Sequence, residues 1–165
     1  MSEKQIIDWK RGKEIYYGDE DMLIDMIRSF DESSFKYQYD DLHQSIMKMD
    51  YDKIYGFACT VKGSTNFIAA DRVSPIASAI QTFASQNQSA TDILEHYLLF
   101  LHESKLLEEE IAKILKRQVD LSRIERYEKE VIEKYNLKPN THMSGHVDFS
   151  NNPNSPSCSV GCTIF

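Results

Sequence analysis

Apolar residues recur along this chain at helical spacing, and no stretch alternates as a half-buried strand would. Leu23, Met26, Ile27 and Phe30 form a first stripe after Gly18-Asp19. It continues through Phe35, Leu42, Ile46 and Met49, with a bend or break expected at Ser33-Ser34. A second stripe is Ile54, Phe57, Ala58, Val61, Thr65 and Ile68. A third is Val73, Ile76, Ala77, Ile80, Phe83 and Ala84, where Pro75 is tolerable because it falls in the opening turn. The polar run "SQNQSATD" predicts an N-cap at Ser89 or Thr91. A long pattern follows through Leu94, Tyr97, Leu98, Leu101, Leu107, Ile111, Ile114 and Leu115. It continues to about Tyr135 with Ile124, Tyr127 and Val131 among dense Glu, Lys and Arg, a part that either faces solvent or pairs with another helix.

Only six Gly and four Pro interrupt these patterns, so the expected fold is all-α. The expected architecture is an antiparallel four-helix bundle over 1–115 with a short N-terminal helix, each stripe facing a common core. A long C-terminal helical extension is expected over 116–137. From Lys138 the composition turns to Asn, Ser, Pro and Gly, and 138–165 is expected to be a disordered tail.

The formal charge of −7 argues against a nucleic-acid partner, which calls for a basic face. No apolar run reaches the length of a membrane span, and "MSEKQIIDWKRGKE" lacks the apolar core of a secretory signal. Three cysteines without an export signal point to a reducing compartment. The expected location is therefore cytoplasmic.

The chemistry concentrates in "FACTVKGSTNFIA", residues 57 to 69. On a helix of 3.6 residues per turn, Cys59, Lys62, Gly63 and Asn66 share one face, with Tyr55 and Gly56 just before them. Phe57, Ala58 and Val61 point the other way, into the core. Cys59 is thus expected on the outer face. Gly56 and Gly63 each cost a helix interior about 0.8–1 kcal/mol relative to Ala. They are either a close-approach surface for another backbone or a locally loose helix.

"IIDWKRGKEIYYGDEDMLIDMIRSF" followed by "DYDKIYGFACTVKGSTNFIAADRV" resembles the histidine-containing phosphotransfer (HPt) family, from about Ile6 to about Leu115. The residues that carry the likeness are Gly18, Asp19, Phe30, Ala58, Lys62, Gly63, Ser64, Ala70 and Val73. In that family a helix bears His-x-x-Lys-Gly-Ser, and the imidazole exchanges a phosphoryl group with an aspartate of a receiver domain. Here Cys59 stands in the histidine's place, and Ala69 stands where a glycine usually precedes the alanine. The resemblance implies an HPt-like bundle and partners that are receiver domains of response regulators or hybrid histidine kinases. With the acceptor histidine absent, it implies no enzyme and no cofactor: a pseudo-HPt docking through Tyr55, Gly56, Cys59, Lys62, Gly63 and Asn66, with Lys62 facing the receiver's acidic pocket.

Other readings stand beside it. Cysteine is nucleophilic only as the thiolate, and a mid-helix position lacks the help of a helix N-terminus. Active transfer through Cys59 therefore needs a strong shift that Lys62 alone does not supply. An exposed Cys59 beside a cation is also oxidisable. Among the five histidines, none rebuilds the motif: His43 lacks a following Lys-Gly, His96 and His102 fit surface or structural roles, and His142 and His146 fall in the tail. The chain ends "CSVGCTIF", and Cys162-Thr163-Ile164-Phe165 fits a C-a-a-X prenylation site, with Cys158 as a second lipidation candidate. One lipid binds membranes only marginally, so stable attachment to a cytoplasmic membrane face needs both. The two tail cysteines make a weak metal pair, since no other ligand lies nearby, and no metal is expected. A membrane-tethered helical adaptor working through 116–135 remains the alternative.

Overall fold

A computed structural model of the chain describes residues 5–138, and every described element is helical. The elements are α1 (Trp9–Ile15), α2 (Glu20–Ser29), a π-helical turn (Phe30–Ser34), α3 (Phe35–Lys48), α4 (Tyr51–Phe67), α5 (Ser74–Ser85), α6 (Ala90–Ile114) and α7 (Ser122–Tyr135). The tail from 139 onward, with Cys158, Cys162, His142 and His146, lies outside the described residues.

Side-chain caps start four of these helices. Asp8 accepts from Arg11 N at 3.0 Å, Asp19 from Met22 N at 3.0 Å, Asp50 from Lys53 N at 3.2 Å and Ser89 from Asp92 N at 3.3 Å. Each satisfies an amide that the helix itself leaves open. Ser89, not Thr91, is therefore the cap of α6.

The bend expected at Ser33-Ser34 is a π turn. The amide of Phe35 bonds the carbonyl of Phe30, five residues back, and Ser33 Oγ donates to Ser29 O at 2.6 Å. Its cause is visible in the stripe, which steps by five from Phe30 to Phe35. The extra residue re-phases the helix so that both rings, 5.7 Å apart, stay on the core side with Tyr39, 4.6 Å from Phe35.

The core joins all of the stripes. Leu23, Ile27, Leu42, Ile46, Ile54, Ala58, Val61, Ala77, Ile80 and Leu101 are without solvent contact. Helix α4 packs on α3 and most extensively on α5, and α5 packs on α6. Helix α1 closes one end, where Asp8 N donates to Ala69 O at 2.9 Å and Arg11 pairs with Asp71.

The helical extension expected over 116–137 is a separate helix and does not run straight on from α6. The chain turns at Lys116, which adopts φ 54°, and α7 folds back against α6 and α3. Arg117 N bonds Ala112 O at 2.9 Å and Lys116 N bonds Lys113 O, a Schellman closure. Such a turn usually announces itself by glycine, and here a lysine occupies it. The same closure ends α3 at Met49 and the α1 turn at Tyr17. It also follows α4 at Ala69, which adopts φ 55°. Helix α7 then buries Ile124, Tyr127 and Val131, each worth about 1.5–3 kcal/mol. Of the two possibilities for this segment, pairing is the one realised.

Lys116 is exposed, so relieving its left-handed backbone removes little packing. Lys116→Gly is expected to raise the free energy of unfolding by about 0.5–1 kcal/mol, measured by urea denaturation.

Candidate functional site

Helix α4 is held in rotation by Ile54, Ala58, Val61 and Thr65, all fully buried. On one flank Ser64 Oγ donates to Gln38 Oε1 of α3 at 2.8 Å, and on the other Lys62 Nζ donates to Gln81 Oε1 of α5 at 2.9 Å. This rotation leaves Gly56 and Asn66 exposed and Gly63 partly so. A Cβ added at Gly56 or at Gly63 would meet nothing within 4 Å. The two glycines are therefore not explained by close packing inside the described chain.

Three expected placements change. Cys59 is only 9% exposed, although it lies outside the apolar core cluster, so the expectation of an outward, solvent-facing sulfur is overturned. Lys62 reaches sideways to α5 instead of projecting from the face. Tyr55 packs against the core margin and contributes only an edge to the surface. A helical wheel gives the direction of a Cβ and not what lies over it. The remaining strip is Gly56, Gly63 and Asn66, continued by Phe67 at 38% exposure. Tyr16 joins that end, its hydroxyl donating to Phe67 O at 2.9 Å.

A second polar cluster, not recognised in the sequence, lies between α3, α6 and α7. His43 is fully buried. Its Nδ1 lies 2.9 Å from the Tyr97 hydroxyl and its Nε2 lies 2.8 Å from Glu130 Oε2, while its ring stacks on Tyr127 at 4.1 Å. A carboxylate only accepts, so in the neutral ring Nε2 carries the hydrogen and the Tyr97 hydroxyl donates to Nδ1. The Tyr127 hydroxyl in turn donates to Asp40 at 2.8 Å. The sequence held one sign of this arrangement. His43 sits four residues after Tyr39 and three before Ile46, inside the apolar stripe, where a polar side chain must find partners. His96 and His102 stay outside the cluster: His96 Nδ1 lies 2.9 Å from Asp92 O and the ring meets Phe83 edge-on, while His102 is exposed.

Among the described residues no three His, Cys, Asp or Glu side chains converge to hold a metal, and no helix is long and apolar enough to cross a membrane. No family model, no curated protein and no solved structure matches the chain.

Burial lowers the pKa of His43 below its ordinary value; the hydrogen bond that His43 donates to Glu130 and the charges of Glu130 and Asp40 oppose that shift, and Arg126 adds to it. Because the folded value lies below the unfolded one, the unfolded chain binds the extra proton first. Stability is then complete above about pH 6.5 and falls as pH drops toward the folded value. The imidazole resonances of His43 are expected to titrate below about pH 6.5, with the melting temperature falling over the same range.

Proposed function

We propose that this chain is a pseudo-phosphotransfer protein. It is read as an HPt-like antiparallel four-helix bundle, built from the α2–α3 unit with α4, α5 and α6, that docks on receiver domains and carries no phosphate. The observation that carries the reading is the open strip of α4. Lys62, Gly63 and Ser64 occur in the family's order, with unfilled space over Gly56 and Gly63, beside a Cys59 that stands in the acceptor's place at 9% exposure.

Phosphoryl transfer needs a nucleophile open to in-line attack and a cation to steady the equatorial oxygens. A covered sulfur does not offer that approach, so the reading favours docking over transfer. Docking alone still has an effect: the protein occupies receivers that active phosphotransfer proteins would otherwise engage. Glycines on the docking strip let a partner's backbone come close, and the apolar end at Phe67 adds contact area without a charge to desolvate. Lipidation at Cys162, with Cys158 as the second anchor, belongs to this proposal as the means of holding the bundle at a cytoplasmic membrane face. The adaptor alternative is less favoured, because the apolar face of α7 is already occupied by this chain's own α3 and α6.

Two outcomes are expected. Incubated with a receiver labelled on its aspartyl phosphate, the chain takes up no label under conditions where an active HPt domain labels fully. Gly63→Ala stabilises the free chain by about 0.8–1 kcal/mol, because Ala is the better helix former and the space is open. The same change weakens receiver binding by about fivefold or more, because the methyl stands in the interface. Stabilisation with unchanged binding would place the docking surface elsewhere.

A further inference from the structure

The sulfur of Cys59 is held in a disulfide. The chain has three cysteines, and the other two, Cys158 and Cys162, fall beyond the described residues. The described fold therefore contains no partner for Cys59, and the bond must reach outside it.

The surface of α4 suits such a bond. A disulfide holds its two Cα atoms about 4.4–6.8 Å apart, so a second backbone must pass close over the helix at Cys59. The residues that flank Cys59 on that face, three before it and four after it, are Gly56 and Gly63. Neither carries a side chain, and a Cβ added at either would meet nothing within 4 Å. Both sides of the sulfur are thus clear for a crossing chain.

Helix α7 also ends in the right place. The Tyr135 hydroxyl lies 2.9 Å from Ile46 O and 3.1 Å from Met47 O, so the last turn of α7 rests on the end of α3. The chain turns there to begin α4 at Tyr51. Cys59 lies about 12 Å along α4 from that start. From Lys138 the chain to Cys158 can extend as far as about 70 Å, so either distant cysteine can reach.

We propose that Cys59 and one of Cys158 and Cys162 form an intramolecular disulfide that straps the segment 139–165 across the outer strip of α4. In a reducing compartment a bond of this kind is a transient, oxidant-driven state. Glutathione disulfide is a sufficient oxidant. The distal cysteine thiolate attacks one glutathione sulfur, the glutathione S–S bond breaks, and one glutathione leaves as its thiolate. The Cys59 thiolate then attacks the distal sulfur and expels the second glutathione. The two cysteine thiols lose two electrons and two protons, and the two glutathione thiols gain them. That the strap also shuts out a receiver rests on the docking reading above, whereas the bond itself does not.

The test is peptide mapping of the full chain without reductant, after equilibration with glutathione disulfide. Trypsin should release 54–62 linked to 135–165, from a protein of monomer mass, and dithiothreitol should separate the pair. Cys59→Ser should remove the link, and so should Cys158→Ser combined with Cys162→Ser, a change that touches no described residue. A link that survives in Cys158→Ser assigns the bond to Cys162, whose sulfur is then closed to prenylation. One that survives in Cys162→Ser assigns it to Cys158. Cys59 recovered only as a thiol or a glutathione adduct, or linked only to a second copy of the chain, would overturn the proposal. The oxidised chain should bind a receiver about tenfold or more weakly than the reduced chain, as expected if the strip is open less than a tenth of the time. That difference should vanish in the Cys158→Ser/Cys162→Ser chain. Equal binding by a linked and an unlinked chain would overturn the strap across the strip. Binding by neither form would remove the docking reading and leave the bond standing.

Discussion

The rotation of α4 is the constraint from which the rest of the reading follows. Ile54, Ala58, Val61 and Thr65 have no solvent contact, and α3 and α5 grip the helix from both sides through Ser64 and Lys62. Turning α4 by even one residue, about 100°, would drive Thr60 or Lys62 into the core and lift Ala58 or Val61 out of it. With that phase fixed, Gly56, Gly63 and Asn66 have only the outer face to occupy. The proposal of a docking strip depends on this packing more than on any single surface residue.

The other end of the molecule is organised around a different kind of contact. His43 is pinned by Tyr97 of α6 and Glu130 of α7 and lies flat on Tyr127, so one imidazole ties three helices together. Apolar burial by Ile124 and Val131 supplies attraction for α7, whereas the two hydrogen bonds of a buried ring supply direction. Arg117, bonded to Asp31 of the π turn and to Glu108 of α6, fixes the start of the returning chain. Helix α7 is thus a part of the packed structure, and a polar outer surface with a narrow apolar stripe is what such a covering helix requires.

Much of this was legible in the sequence, and the parts that were not have identifiable causes. The helical stripes name the buried residues well, because burial depends on periodicity: Leu23, Ile27, Ile46, Ala58, Val61, Ile80, Leu101 and Val131 are all inside. Even the π turn is foreshadowed by the five-residue step from Phe30 to Phe35. The return of the chain at Lys116 was hidden because a left-handed lysine closes α6 without the glycine that usually marks such a turn. Cys59 was misplaced for another reason. Its direction follows from periodicity, but its cover depends on neighbours that periodicity does not describe. His43 escaped notice because its partners, Tyr97 and Glu130, lie far along the chain, and no local pattern joins them. The strip of α4 was expected as six residues, and Gly56, Gly63 and Asn66 keep the placement assigned to them while Tyr55, Cys59 and Lys62 are drawn inward or sideways.

Hydrogen–deuterium exchange of the full chain, with and without a saturating receiver domain, tests the central claim most directly. The account predicts new protection confined to the outer strip of α4 and its Phe67 end, with α7 unchanged. Protection centred on α7, or binding that leaves the amides of residues 56–67 exchanging as before, would contradict it.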